Sequence, residues 1–88
     1  MPEGEHKIKL IFIINGESFP VETNVNAPLS SAVEKALSTS GNTGRPLSEW
    51  EVRDSSGVLL DISRKVKDLG LKDGARLFLS LRVGAGGV

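Results

Sequence analysis

Lys7-Ile8-Lys9-Leu10-Ile11-Phe12-Ile13-Ile14 places Ile8, Leu10, Phe12 and Ile14 on one parity and Lys7, Lys9, Ile11 and Ile13 on the other. Period-two alternation predicts a β-strand, and apolar residues on both parities near its end predict a neighbour on each side. Asn15-Gly16 follows, a pair in which both residues tolerate φ > 0 and which therefore closes a tight hairpin. Glu17 to Val25 returns as the partner strand, with Phe19, Val21 and Val25 expected in the core. Pro20 has no N–H to give to an interior ladder, so this strand is expected at a sheet edge.

The period then changes. Leu29, Ala32, Val33, Ala36 and Leu37 form one helical stripe, with Ser30, Ser31, Glu34 and Lys35 on the wet side. Asn26-Ala27-Pro28 reads as its start, Asn suiting a cap and Pro the first turn. Ser38-Thr39-Ser40-Gly41-Asn42 stops it. Trp50 and Val52 alternate with Glu49, Glu51 and Arg53, predicting a third strand with Trp50 and Val52 inward. Val58-Leu59-Leu60 predicts a short fourth strand, and Val66-Lys67-Asp68-Leu69-Gly70 one helical turn with a glycine stop. Arg76 to Val83 alternates again, with Leu77, Leu79, Leu81 and Val83 opposite Phe78, Ser80 and Arg82. The first and last strands both need the one substantial helix as cover. An antiparallel hairpin, a helix crossing the sheet and a last strand parallel to the first satisfy that need. The expected class is α+β: a mixed sheet of four to five strands packed on one main helix, the β-grasp.

Composition narrows the functional classes. At 88 residues the chain is one domain, and its formal net charge is zero, 11 basic against 11 acidic side chains with no basic block. Nucleic acid and anionic membrane are therefore not expected as partners. There is no cysteine, hence no thiolate ligand and no thiol nucleophile. His6 stands alone, and the turn aspartates Asp54, Asp61, Asp68 and Asp73 have no metal spacing, so neither metal nor cofactor is expected. Gly41-x-x-Gly44-Arg45 lacks the Gly-Lys-Ser/Thr ending of a phosphate loop. No catalytic constellation is present, and the chain is read as not an enzyme. The longest apolar run, Leu10 to Ile14, is too short to cross a bilayer and no signal segment is visible, which leads to a cytoplasmic expectation.

The last strand runs into Val83-Gly84-Ala85-Gly86-Gly87-Val88. Glycine carries no Cβ, so such an arm can thread a channel that side chains would block. The expected division is a flexible extension over 1–6, a folded domain over 7–83 and a flexible Gly-rich tail over 84–88.

From about Lys7 to Gly87 the chain resembles the ubiquitin family. Val66-Lys67-Asp68-Leu69-Gly70-Leu71-Lys72-Asp73-Gly74 sits where that family carries a Leu-x-Asp-Tyr-x-Ile turn. Leu77-Phe78-Leu79-Ser80-Leu81-Arg82-Val83 is similar to its Leu-x-Leu-x-Leu-Arg-Leu run into Gly-Gly, the tail here being one residue longer. Trp50-x-Val52 and the Gly-rich tail look more like the prokaryotic ubiquitin-like proteins.

The resemblance implies a bacterial protein modifier. A protease, metal-dependent in some prokaryotic systems, would remove Val88 and free the Gly87 carboxylate beside Gly86. Activating and conjugating enzymes would then adenylate that carboxylate with ATP, carry it as a thioester and join it to a lysine of a target protein. Arg82, Val83, Gly84 and Ala85 would be what the activating enzyme reads. Ubiquitin's apolar receptor patch is missing: with Trp50 and Val52 inward, Glu51 and Ser80 face outward in its place. Ile11, Ile13 and Phe78 form an alternative interaction surface on the open sheet face. Two other readings stand beside the modifier. One is a sulfur carrier using a Gly87 thiocarboxylate, the other a β-grasp interaction module whose tail does nothing.

Overall fold

The computed structural model describes residues 6–82. Strands β1 (Lys7–Ile14), β2 (Glu17–Asn24), β3 (Trp50–Asp54), β4 (Leu59–Leu60) and β5 (Arg76–Leu81) form one sheet in the order β2-β1-β5-β3-β4. One helix, α1 (Leu29–Thr39), covers it. β1 pairs antiparallel with β2 and parallel with β5, and β3 is antiparallel to β5 and to β4. This is the β-grasp that the alternation predicts.

Leu10, Phe12 and Ile14 of β1, Leu77 and Leu79 of β5, and Trp50 and Val52 of β3 meet Leu29, Ala32, Val33, Ala36 and Leu37 of α1 in a single core. Burying each large apolar side chain contributes about 1.5–3 kcal/mol. The hairpin turns at Asn15 (φ 53) and Gly16 (φ 83), the two positive angles that the Asn-Gly pair supplies without strain. β2 lies at the edge, and Pro20 sits opposite Ile11. The Ile11 N–H donates to Ala75 O on the β5 side (2.9 Å), so the Pro20 nitrogen faces the open edge, where no ladder donor is needed.

The structure corrects five details. Asn26 does not cap α1: Pro28 stands at the N-cap position with no side-chain bond, while Leu29 N–H donates to Arg64 O and Ser30 N–H to Ile62 O, both 2.9 Å. The orphan donors of the first turn thus find carbonyls from a distant loop. β2 stops at Asn24; Val25 lies beyond it, half-buried and packed against the core as Phe19 is, and Thr23 is buried as well. Glu49 belongs to a 3-10 turn, Leu47–Glu49, and β3 begins at Trp50. Val58 lies outside β4 and is exposed. In β5 the buried parity stops at Leu79, because Leu81 projects past the end of β1 and is 40% exposed.

Candidate functional site

Two regions carry what the sequence singles out: the end of β5 and the sheet face turned away from α1. At the first, Arg82 N–H donates to Glu49 O (2.8 Å), which carries the β3–β5 pairing one residue beyond the strand. The 3-10 turn after Pro46 places Glu49 there, and its carboxylate accepts from Arg45 Nη1 at 2.9 Å. The Arg82 side chain is exposed and has no ion pair among the described residues. The chain is therefore held by backbone bonds up to Arg82, where its guanidinium is open to a partner. Val83, Gly84, Ala85, Gly86, Gly87 and Val88 lie outside the described residues.

On the open face, Ile13 is opposite both Ser18 of β2 and Phe78 of β5, and Phe78 is opposite Arg53 of β3. Ile11 and Ile13 are half-buried, while Phe78 is 42% exposed. The register thus brings the three expected residues together. It extends the row through Arg53 to Leu59, which is exposed, and sets Pro20 beside Ile11. Sequence parity missed Leu59 because a two-residue strand has no period to read. Arg53 is pinned by Glu51 Oε2 (3.2 Å) and Gly57 O (3.0 Å). Glu51 is directly opposite Ser80, so the polar pair expected in place of an apolar receptor patch is present.

The one resolved proton-affinity shift is structural. The Ser63 hydroxyl (2.6 Å) and the Ser63 N–H (3.0 Å) both donate to Asp61 Oδ1 and hold its carboxyl below the usual carboxylate range. Among the described residues no group of three or more His, Asp or Glu is placed to hold a metal ion, and no helix is long and apolar enough to cross a membrane. Lys7, Lys9, Lys35, Lys65, Lys67 and Lys72 are all exposed.

Sheet order, the parallel β1–β5 pair and the position of α1 define a ubiquitin-like β-grasp fold, and solved structures agree. The ubiquitin of Caldiarchaeum subterraneum superposes with a TM-score of 0.71 at 19% identity, over 91% of this chain and 99% of that one. The ubiquitin-like domain of Arabidopsis thaliana At2g32350 gives 0.68 at 21% identity, over 86% and 78%. A designed protein based on ubiquitin gives 0.76 at 17% identity, over 94% and 98%. More specifically, residues 3–87 match the family described as "Protein of Unknown function (DUF2604)", and the chain belongs to that family. The uncharacterized protein y4jI of Sinorhizobium fredii (strain NBRC 101917 / NGR234) is 40% identical over 84 residues, 96% of this chain. This chain spans 65% of that relative's length.

Proposed function

We propose that the chain is a protein modifier, joined to target lysines through Gly87. The observation that supports the reading most is the way the last strand ends. β5 is anchored on β3 up to Arg82, and the sequence then runs Val83-Gly84-Ala85-Gly86-Gly87. A central strand anchored to its end, followed after Val83 by residues that are glycine or alanine, suits a carboxylate that must reach beyond the fold. A cytoplasmic protease hydrolyses the Gly87–Val88 peptide bond and frees the Gly87 carboxylate. An activating enzyme forms the acyl-adenylate with ATP, releasing pyrophosphate, and passes the acyl group to a thiol with release of AMP. A conjugating enzyme transfers it to a lysine amine as an isopeptide. The chain is the substrate in each step and needs no cofactor of its own. Partners are these enzymes and the target proteins, with neither nucleic acid nor membrane required.

Trypsin tests this directly. Cleavage after Arg82 leaves Val-Gly-Ala-Gly-Gly on any modified lysine, so a host digest should contain lysines carrying that remnant. Absence of the remnant, with intact mass showing Val88 in place, overturns the reading. The exposed Phe78 beside Ile11 and Ile13 supports a second role as an interaction module, which does not require the tail.

A further inference from the structure

β5 outruns β1, and this leaves a notch at one end of the sheet. β1 stops at Ile14, opposite Leu79, while β5 continues through Ser80 and Leu81 with, among the described residues, only β3 beside it. Backbone direction there follows from two bonds. Arg82 N–H donates to Glu49 O, so even-numbered residues of β5 face β3, and Ala75 O accepts from Ile11 N–H, so odd-numbered ones face the β1 side. The carbonyl of Leu79 and the N–H of Leu81 therefore point beyond the end of β1. Among the described residues no backbone bond from the Asn15–Gly16 turn reaches either group.

The notch is an open cleft of about 670 Å³ walled by Gly16, Gly41, Gly44, Trp50 and Leu81, and its lining also takes in Ile13 and Phe78. A Cβ placed on Gly16, Gly41 or Gly44 would meet nothing within 4 Å, so a backbone can approach these walls closely. Trp50 is 7% exposed, and its Nε1–H is buried without a hydrogen-bond partner among the described residues. A donor buried in that way costs about 1–3 kcal/mol until an acceptor reaches it. Leu81, a large apolar side chain, is left 40% exposed at the same place.

We propose that this notch receives an extended polypeptide strand of a partner protein, which pairs with Leu79 O and Leu81 N–H and seats one apolar side chain against Trp50 and Leu81. The occupant's class follows from the pattern offered. A carbonyl and an N–H on one strand edge, at ladder spacing, are matched by the alternating groups of another extended backbone. The apolar wall asks for a side chain that a bare polar ligand lacks. The site is separate from the Gly87 chemistry and stands whether or not that residue is joined to targets.

The probe is a linear twelve-residue random peptide library displayed on phage and selected on the full-length protein, with the selected peptides resynthesised. Bound peptide should shift the Leu81 and Gly44 amide resonances and protect Leu81 N–H from exchange. Methylating alternate peptide nitrogens should abolish binding on one register and spare it on the other. Gly44→Phe, at a glycine without positive φ, should weaken binding at least tenfold with an unchanged circular dichroism spectrum. Leu59→Arg, at an exposed β4 position outside the cleft lining, should change it less than twofold. The proposal is overturned if no peptide enriches, if binding is indifferent to N-methylation, or if the shifts fall on Ile11 and Leu59, outside the cleft, and spare Leu81 and Gly44. It is equally overturned if Leu81 N–H is already protected without peptide: in a monomer the chain itself fills the notch, and in a dimer a second copy does.

Discussion

Single side chains in this fold do work out of proportion to their burial, and Asp61 shows how. Its Oδ1 accepts from the Ser63 hydroxyl and the Ser63 N–H, which outweigh the opposing desolvation, and the Arg64 charge adds the least. The turn it closes delivers Ile62 O and Arg64 O to the start of α1. A carboxyl whose folded pKa is lowered binds fewer protons folded than unfolded. Its stabilisation is therefore present above about pH 4 and lost as pH falls through the lowered folded value. Asp61→Ala should melt below the wild type at pH 7, and the gap should shrink between about pH 4 and 2 in thermal circular dichroism. Glycines make a second contrast. Gly41 sits at φ +82, whereas Gly44 has no positive angle, and both have open space where a Cβ would stand. Gly41→Ala should lose about 1–2 kcal/mol in urea unfolding and Gly44→Ala close to nothing, since only the former forces a left-handed L-residue.

At the scale of elements, the strands show which interactions a sequence announces. Ile8 to Ile14 and Leu77 to Leu79 carry their own parity, and Asn15-Gly16 carries its own turn, so the hairpin, the parallel pair and the helix stripe were all legible. The C-terminal end of α1 is local in the same sense. Asn42 N–H donates to Leu37 O (2.8 Å) and Gly41 N–H to Ser38 O (3.2 Å), a Schellman closure around a left-handed glycine. The N-terminal end is not local. Its acceptors come from residues 62–64, more than thirty positions away, and nothing around Asn26 reveals them. The exposure of Leu81 was hidden for a related reason, because it depends on β1 ending two residues sooner than β5. Pro20 gives this scale its own test. With its nitrogen on the open edge of β2, Pro20→Val restores an edge donor and a strand-forming residue. The variant should self-associate with rising concentration in light scattering while the wild type does not.

For the molecule as a whole, the question is whether partners meet the tail or the sheet, and the two can be separated because they are different parts of the chain. Phe78 is 42% exposed on the face away from α1, so Phe78→Arg removes an apolar contact without opening the core. Its unfolding midpoint should stay near that of the wild type, in contrast to Phe12→Ala, which empties a fully buried position and should lose about 3–5 kcal/mol. Gly86 and Gly87 lie outside the described residues, and replacing both with alanine adds Cβ atoms where a modifier needs none. In the native host the double variant should lose the Val-Gly-Ala-Gly-Gly lysine adducts in the wild-type digest, with no Val-Gly-Ala-Ala-Ala counterpart replacing them. Phe78→Arg should keep those adducts, since the β5 anchor at Arg82 and Glu49 is untouched. The opposite result, adducts that carry the alanine-bearing remnant at wild-type level, would place recognition in the sheet and show that joining through position 87 does not need the two glycines. Loss of adducts in both variants would instead join the two surfaces. The enzyme that takes the Gly87 carboxylate would then also have to grip the Ile11, Ile13 and Phe78 face.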